Sequence, residues 1–265
     1  MKETRLFYLP ALADGDTPDT ILELPEEEAA HALRVLRLSK GDSLSLTDGQ
    51  GQMATAVICE TSKKHCSVRL QHIWKPPRLW QGSIHIAVAP TKNMDRMEWF
   101  VEKAVEIGVD RITFLSTAYS ERTSSRLDRL QRHAISAMKQ SHKAWLPQIQ
   151  GPVPFERFLE EISSISSYHI YICHCYEVGQ KGEVVTTDSL VCPTSAEKPL
   201  LLNVLSASGD ALTLIGPEGD FSIDEVNRVV RQGGRSVSLG TSRLRTETAA
   251  LAAVHMMYLK KCILS

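Results

Sequence analysis

Two stretches of the chain hold residues whose types and spacing suit chemistry. The first, Leu212-Thr-Leu-Ile-Gly-Pro-Glu-Gly-Asp-Phe-Ser-Ile-Asp-Glu225, runs from an apolar strand pattern into Gly216-Pro217-Glu218-Gly219 and then into a helix start. Ser222 with Glu225 three residues on reads as a capping box. The loop lies at the carboxyl end of a strand, where open α/β sheets bind ligands, and its two glycines let main chain approach a ligand closely. Glu218, Asp220, Asp224 and Glu225 crowd that helix start and already answer its dipole. A phosphate is therefore disfavoured, and a neutral or cationic ligand fits better. A well-capped turn with no ligand explains the same composition.

The second stretch is Val237-Ser-Leu-Gly-Thr-Ser-Arg-Leu-Arg-Thr-Glu-Thr-Ala-Ala250. A strand ends at Gly240, a short loop follows, and Thr246 is placed to cap the next helix. Between Val226 and Thr246 there are five Arg (228, 231, 235, 243 and 245) and no acid. Arg228 and Arg231 read as a solvated face, Arg243 and Arg245 as candidates for function. The helix from Glu247 to Lys261 is apolar nearly all round, so it is expected to be buried in its domain or against a partner subunit.

The elements that position these stretches follow from periodicity. Residues 1–74 are β-rich: 44–47, 53–59 and 68–74 read as strands, and Asp48-Gly49-Gln50-Gly51 joins the first two as a hairpin. A helix is predicted over Glu26–Leu38, started by Pro25. Lys75-Pro76-Pro77-Arg78 is a linker. In 75–265, strands at 84–89, 112–116, 169–176, 212–215 and 236–239 alternate with helices at 94–108, 126–143, 155–162, 200–207, 223–232 and 247–261. That alternation predicts a mostly parallel sheet covered on both faces. The expected architecture is a small β-barrel-like domain (1–74) followed by an α/β domain (75–265).

The 265 residues carry 30 basic and 31 acidic side chains, a net charge of −1, so no global field draws in a polyanion and any such partner must meet a local patch. One candidate lies between Tyr119 and Gln150, with six basic residues against two acids. Hydrophobic residues at 43 % and charged ones at 23 % exclude a disordered chain or a disulfide scaffold. The longest stretch without Asp, Glu, Lys or Arg is the fifteen residues 162–176, broken by four Ser, against the ~20 apolar residues a membrane span needs. No membrane association is expected, and no secretory signal is read at the start. Six scattered Cys (59, 66, 173, 175, 192 and 262) read as reduced thiols in a cytoplasmic protein.

Gly49-x-Gly51-x-x-Ala54 matches a dinucleotide fingerprint by letter, but a strand follows where a helix is required. Cys173-His174-Cys175 lacks a second ligand pair at zinc spacing, so no metal is expected and buried thiols are the better reading.

Taken together, Gly216-Pro217-Glu218-Gly219, then Leu239-Gly240 and Leu244-Arg245-Thr246-Glu247-Thr248-Ala249, resemble the family of small-subunit ribosomal RNA uracil-N3 methyltransferases, in the SPOUT superfamily of knotted enzymes. His31-x-x-Arg34-Val35-Leu36-Arg37-x-x-x-Gly41-Asp42 is similar to its PUA-like RNA-binding domain, and Arg5-Leu6-Phe7 to its opening strand. Lys92, Lys103-Ala104-Val105-Glu106-Ile107-Gly108-Val109, Glu121-Arg122, Lys139-Gln140-Ser141 and Leu146-Pro147 continue the likeness along nearly the whole chain. Asp220 departs from it, standing where the family usually has a second Gly, and Leu244 follows Arg243 where an Ile-Leu pair is usual.

The resemblance implies a trefoil-knotted α/β methyltransferase domain behind a PUA-like domain, working as a homodimer. Its cofactor would be S-adenosylmethionine, held by Ile215, Gly216, Pro217, Glu218, Gly219, Leu239, Gly240, Arg243 and Leu244. Its substrate would be an unpaired uridine of small-subunit ribosomal RNA, in the assembled subunit. Arg245 would stabilise charge on the uracil oxygens, and Glu218 or Glu247 would take the N3 proton; the residues do not choose between them. RNA contacts are expected from Arg5, Arg34, Arg37, Lys40, Arg122, Arg126 and Lys139. Two alternatives stand beside this reading: a related ribose 2′-O-methyltransferase, and a non-catalytic RNA-binding protein of the same fold.

Overall fold

The computed structural model describes residues 5–13, 15–121, 126–165, 168–178, 184–185 and 198–263. The chain divides into two compact units: Met1–Arg78 with Ile135–Leu146, and Leu79–Ala134 with Pro147–Ser265. Residues 135–146 thus pack with the N-terminal unit although they lie far along the chain.

In the first unit, β1 (Leu6–Tyr8), β2 (Ile21–Glu23), β3 (Ser43–Thr47), β4 (Met53–Thr61) and β5 (Cys66–Trp74) form one sheet in the order β1-β3-β4-β5-β2. β1 lies parallel to β3 and the other pairings are antiparallel. Alternate residues of β4 (Ala54, Ala56 and Ile58) point into a core shared with Phe7, Leu44, Leu46, Val68 and Leu70. The 48–51 turn is the expected hairpin: the Asp48 carboxylate accepts from the Gln50 and Gln52 N–H groups at 2.7 and 2.9 Å. The ring of Trp145 packs so close to Gly51 that a Cβ there would lie 2.2 Å from it, and the Arg78 guanidinium covers the same ring at 4.1 Å. The helix predicted over Glu26–Leu38 is shorter and splits into α1 (Glu26–Ala30) and a π-helical turn, His31–Val35. The wider turn lets Leu33, Leu36 and Leu38 all reach the core, and Arg37 in a left-handed conformation (φ 56°) stops it.

The second unit holds a six-stranded sheet, entirely parallel, in the order β13-β9-β12-β6-β7-β8. Its strands are β6 (Ile84–Val88), β7 (Arg111–Ser116), β8 (Gln148–Pro154), β9 (Tyr168–Cys173), β12 (Asp210–Ile215) and β13 (Arg235–Val237). The helices are α2 (Met94–Ile107), α3 (Leu127–Gln140, its last six residues counted with the first unit), α4 (Phe155–Ser163), α5 (Leu201–Val204), α6 (Ile223–Arg231) and α7 (Thr246–Ile263). A two-residue pair, β10 (Glu177–Val178) with β11 (Val184–Val185), stands apart. All five residues of β6 are buried, as a central parallel strand requires. From β6 the chain runs outward through β7 to β8, then crosses to β9, so the sheet changes direction between β6 and β12 and opens a crevice at their carboxyl ends.

Three expectations are corrected. Strand β8 has no counterpart in the sequence reading because Gly151, Pro152 and Pro154 interrupt it; an edge position tolerates them. The helix expected over Leu200–Ala207 is one turn, ended by the Ser206-Ala207-Ser208-Gly209 stretch. Helix α7 is not buried all round: Ala250, Ala253, Val254 and Met257 form one buried stripe, while Leu251, Ala252, Met256, Tyr258 and Leu259 are half-exposed. Lys261 at its end is 1 % exposed and donates to the carbonyls of Gln81 and Gly209 at 2.9 and 2.7 Å.

A polar chain crosses the sheet interior. Gln150 Nε2 donates to Thr113 Oγ1 at 3.1 Å, Thr113 Oγ1 shares a hydrogen bond with His85 Nε2 at 2.9 Å, and His85 Nδ1 meets Tyr168 Oη at 3.3 Å. Burial, helped by the charge of Arg111, pushes His85 down to about 3, so it is neutral.

Candidate active site

The loop after β12 folds back on itself. A Cβ on Gly216 would meet backbone atoms of Asp220 and Phe221 at 3.0 Å, so any side chain there would crowd the turn. Asp220 takes a left-handed conformation (φ 67°), one that Asp accepts more readily than most residues. Its carboxylate repays the conformation, with Oδ1 accepting from the Phe221 N–H and Oδ2 from the Cys175 N–H, both at 2.7 Å. Burial raises the Asp220 pKa, and these two N–H groups with Lys198 oppose the rise. Tyr176 Oη donates to the Phe221 carbonyl at 2.6 Å, and Lys198 Nζ donates to the carbonyls of His174 and Tyr176. The end of β9 is thereby fastened to the loop.

The predicted capping box is present. Ser222 accepts from the Glu225 N–H, Glu225 Oε2 accepts from the Ser222 N–H, and Glu225 Oε1 also accepts from the Ala118 N–H at 2.8 Å. Asp224 is paired with Arg228 at 2.9 Å. Of the four acids at this helix start only Glu218 stays exposed to solvent without a partner side chain, its Oε1 accepting from the Lys92 N–H at 3.3 Å.

The loop after β13 is looser. Ser238 Oγ bonds the N–H and carbonyl of Gly240, whose φ of 129° needs glycine and whose Cβ position opens on empty space. Among the described residues, Thr241 to Arg245 have no side-chain hydrogen bond or ion pair. Arg245 therefore pairs with neither Glu218 nor Glu247. Thr246 is the first residue of α7 rather than its cap.

The two loops enclose a cleft of about 740 Å³, inside the range for small-molecule sites. All nine residues expected around the cofactor (Ile215, Gly216, Pro217, Glu218, Gly219, Leu239, Gly240, Arg243 and Leu244) line it, together with Arg245 and Glu247. Glu247 is 7 % exposed; its Oε2 has no hydrogen-bond partner, and its Oε1 faces Arg96 Nε at 3.8 Å.

The sequence reading missed Arg96, His174 and Lys198, which also line the cleft. Arg96 follows the carboxyl end of β6, and the rule that ligands gather at such ends is the signal for it. His174 Nε2 meets Ser236 Oγ at 2.9 Å, and burial with the charge of Lys198 pushes this histidine down to about 3. Cys173 keeps its proton, raised to about 12 by burial, but Cys175 is exposed rather than buried. Cys192 lies outside the described residues. Among the described residues no His, Cys, Asp and Glu cluster suits a metal, and no helix is long and apolar enough to cross a membrane.

Of the expected RNA contacts, Arg5, Arg34, Arg37 and Lys40 are exposed in the first unit and Arg126 in the second. Lys139 is instead mostly buried in an ion pair with Glu28 at 2.5 Å, a partner 111 residues away that helix periodicity cannot reveal. Arg129 is likewise held by Glu98 at 2.6 Å. Arg122 lies outside the described residues.

Comparison with known proteins agrees with this geometry. Residues 78–258 match the RNA methyltransferase domain family and residues 24–71 the RNA methyltransferase PUA domain. A structure described as a probable rRNA methyltransferase from Porphyromonas gingivalis is 38 % identical, covers 98 % of this chain and 100 % of its own, and superposes with a TM-score of 0.81. A ribosomal RNA small subunit methyltransferase E from Neisseria gonorrhoeae, bound to S-adenosyl methionine, is 25 % identical with a TM-score of 0.77 over 97 % of this chain and 98 % of its own. The ribosomal RNA small subunit methyltransferase E of Rickettsia conorii is 27 % identical over 96 % of this chain and 94 % of its own. The chain belongs to the RNA methyltransferase domain family and carries that family's PUA domain in front of it.

Proposed function

We propose that this protein methylates N3 of an unpaired uridine in small-subunit ribosomal RNA, using S-adenosylmethionine. The observation that carries the reading is the single cleft built from the 215–220 and 237–247 loops within the matched methyltransferase region. Bound there, the cofactor supplies an electrophilic methyl group on a sulfonium. The cleft suits such a molecule: it has the volume, Gly216–Gly219 and Leu239–Gly240 line it, and Glu247 offers a buried carboxylate oxygen with no partner. The nine residues from Ile215 to Leu244 named above would hold it.

The chain's own task is to align the acceptor nitrogen, a contribution of up to ~7–11 kcal/mol from positioning. N3 must lose its proton, which guanidinium cannot accept; Glu218 and Glu247 are the carboxylates beside the cleft. Arg245, unpaired, would meet charge growing on the uracil oxygens. N3 lies on the pairing edge, so the acceptor must be unpaired. Arg5, Arg34, Arg37, Lys40 and Arg126 would follow RNA phosphates.

The finer features carried by the resemblance belong to the same proposal: a trefoil knot through the 216–247 region, action on the assembled subunit, and a cytoplasmic location. So does a homodimer, favoured by the half-exposed Leu251, Met256 and Leu259 of α7, which a second copy would cover.

The test is nucleoside mass spectrometry of small-subunit ribosomal RNA incubated with the protein and methyl-labelled cofactor. Labelled 3-methyluridine is expected. A labelled 2′-O-methyl nucleoside transfers the claim to ribose chemistry, and no label at all makes the protein a silent RNA binder.

A further inference from the structure

The two ends of α7 are held in different ways. Its buried face runs Glu247, Ala250, Ala253, Val254, Met257 and Lys261, with a charge at each end and apolar side chains between. At the cleft end, Glu247 Oε1 has the 3.8 Å contact to Arg96 and Oε2 has no partner. At the far end Lys261 is 1 % exposed, and its Nζ donates to the carbonyls of Gln81 and Gly209 at 2.9 and 2.7 Å. Those carbonyls stand just ahead of β6 and β12, the two strands whose other ends open the crevice.

Glycine brings the two carbonyls together. A Cβ on Gly82 would lie 1.9 Å from the Gly209 oxygen, and both residues take positive φ, 72° and 80°. Around them, Asp110 Oδ2 accepts from the Ile84 N–H at 2.8 Å and from Trp80 Nε1 at 3.3 Å, and Ser83 Oγ donates to Asp210 at 2.8 Å. The Trp80 ring meets Tyr258, three residues before Lys261, edge-on at 5.6 Å. Burial lowers the Lys261 pKa, and the charges of Asp110 and Asp210 oppose the drop. Between its ends α7 packs on β6 and β12 through apolar contact, which is not directional. Packed helices slide past one another by ~1–2 Å in known transitions. Met257 Sδ accepts from Thr213 Oγ1 at 3.4 Å, but sulfur is a weak acceptor. The strong directional bonds are those of Lys261.

We propose that Lys261 is a positioning residue for the cleft: it fixes the axial position of α7 against β6 and β12, and so sets where Glu247 and the end of the 238–245 loop stand. This rests on the reading that the cleft holds S-adenosylmethionine. The helical rise from Glu247 to Lys261 is about 21 Å, so Lys261 touches no ligand and acts through the helix. A misplacement of ~1 Å at a reacting group can cost ~10²-fold in rate, which makes a remote anchor of this kind consequential.

The test is Lys261→Met in the full-length protein, which fills the same space without donors. Cofactor affinity is read by calorimetry at a temperature where circular dichroism shows the variant folded. S-adenosylmethionine should bind ~10-fold more weakly, the scale of one misaligned hydrogen bond. The backbone amide NMR peaks of Glu247 and Ala250 should move, although the substitution lies about four turns away. Lys261→Gln keeps an N–H donor on a shorter stem; it is the variant to read should Lys261→Met fail to fold, and it should shift affinity and peaks in the same direction. Phe158→Leu, in the core beneath α4, should lower the melting temperature and leave affinity and those peaks unchanged. Wild-type affinity in a folded Lys261 variant, or Glu247 and Ala250 peaks that stay in place, overturns the inference. So does an equal loss of affinity in Phe158→Leu. If the wild type binds no S-adenosylmethionine the functional reading fails, and the Glu247 and Ala250 peaks still decide whether Lys261 places the helix.

Discussion

The loop leaving β12 and the loop leaving β13 face one cleft but are built on opposite plans. In the first, Asp220, Glu225 and Tyr176 together make five hydrogen bonds to backbone groups, and a Cβ on Gly216 would meet backbone at 3.0 Å. In the second, Thr241, Ser242, Arg243 and Arg245 are exposed and make no side-chain bond among the described residues. Preorganised backbone offers a fixed surface to a ligand without an ordering cost at binding. A loop that keeps its side chains unengaged is available to close on that ligand and to bring charge with it. The pinned loop thus behaves as a seat and the open one as a clamp.

The largest expected effect tests the pinned side through acid. His174, at the end of the strand fastened to the β12 loop, and His85, inside the sheet, both titrate at about 3 when folded, against 6.5 for free imidazole. Between those values the unfolded chain takes up protons that the folded chain refuses. Stability is therefore fully present above pH 6.5 and falls as pH drops toward 3, by ~1.4 kcal/mol per pH unit for each histidine. Urea denaturation across this window should show the fall, and His174→Gln should halve its slope. A stability flat between pH 6.5 and 4 would mean that neither ring is held neutral by the fold.

The next effect tests the open side. Arg245→Ala should lower the single-turnover methylation rate by ~10²–10³, the usual scale for one electrostatic stabiliser. Melting temperature and cofactor affinity should hardly move, because Arg245 has no partner to lose. A joint loss of rate, affinity and melting temperature would show that Arg245 braces the loop, and the contrast between seat and clamp would disappear.

What the sequence could show divides along a similar line. Gly216-Pro217-Glu218-Gly219 and the Ser222–Glu225 box were legible because each is a local device, complete within a few residues of chain. The hairpin at Asp48-Gly49 was legible for the same reason. Arg96, early in α2 after β6, and His174, just past β9, follow strands that neighbour β12 in space but not in sequence. Only the general rule about strand ends, and no local motif, points to them. Lys139 resembles any cation on a solvated helix until Glu28 is brought beside it. Strand β8 was hidden because the residues that suit a sheet edge are those that punctuate loops. The Asp220 substitution was visible as a departure from a pattern, but its consequence depended on Cys175, 45 residues upstream, lying within 2.7 Å.

Asp220 supplies the smallest effect and the sharpest test of the comparison. The position needs a left-handed conformation, which glycine adopts freely and Asp adopts at a modest cost. Asp220→Gly therefore relieves backbone strain while removing the acceptors for the Cys175 and Phe221 N–H groups. Losing the acceptor of the part-buried Phe221 N–H costs ~1–3 kcal/mol, the exposed Cys175 N–H turns to water at less cost, and the relief of strain offsets part of the loss. Asp220→Ala loses the same bonds and keeps the strain, so it should be the less stable of the two. If the carboxylate is what pins the loop to β9, both variants should lower the melting temperature, Ala more than Gly, and both should speed amide hydrogen exchange at Cys175 and Phe221. Exchange at Thr241 and Ser242, in the loop that shares none of these bonds, should stay as it is in the wild type. Faster exchange in both loops would show that they move as one body. No change at Cys175 would show that the β12 loop is held by its capping box alone, with Asp220 a tolerated replacement for glycine.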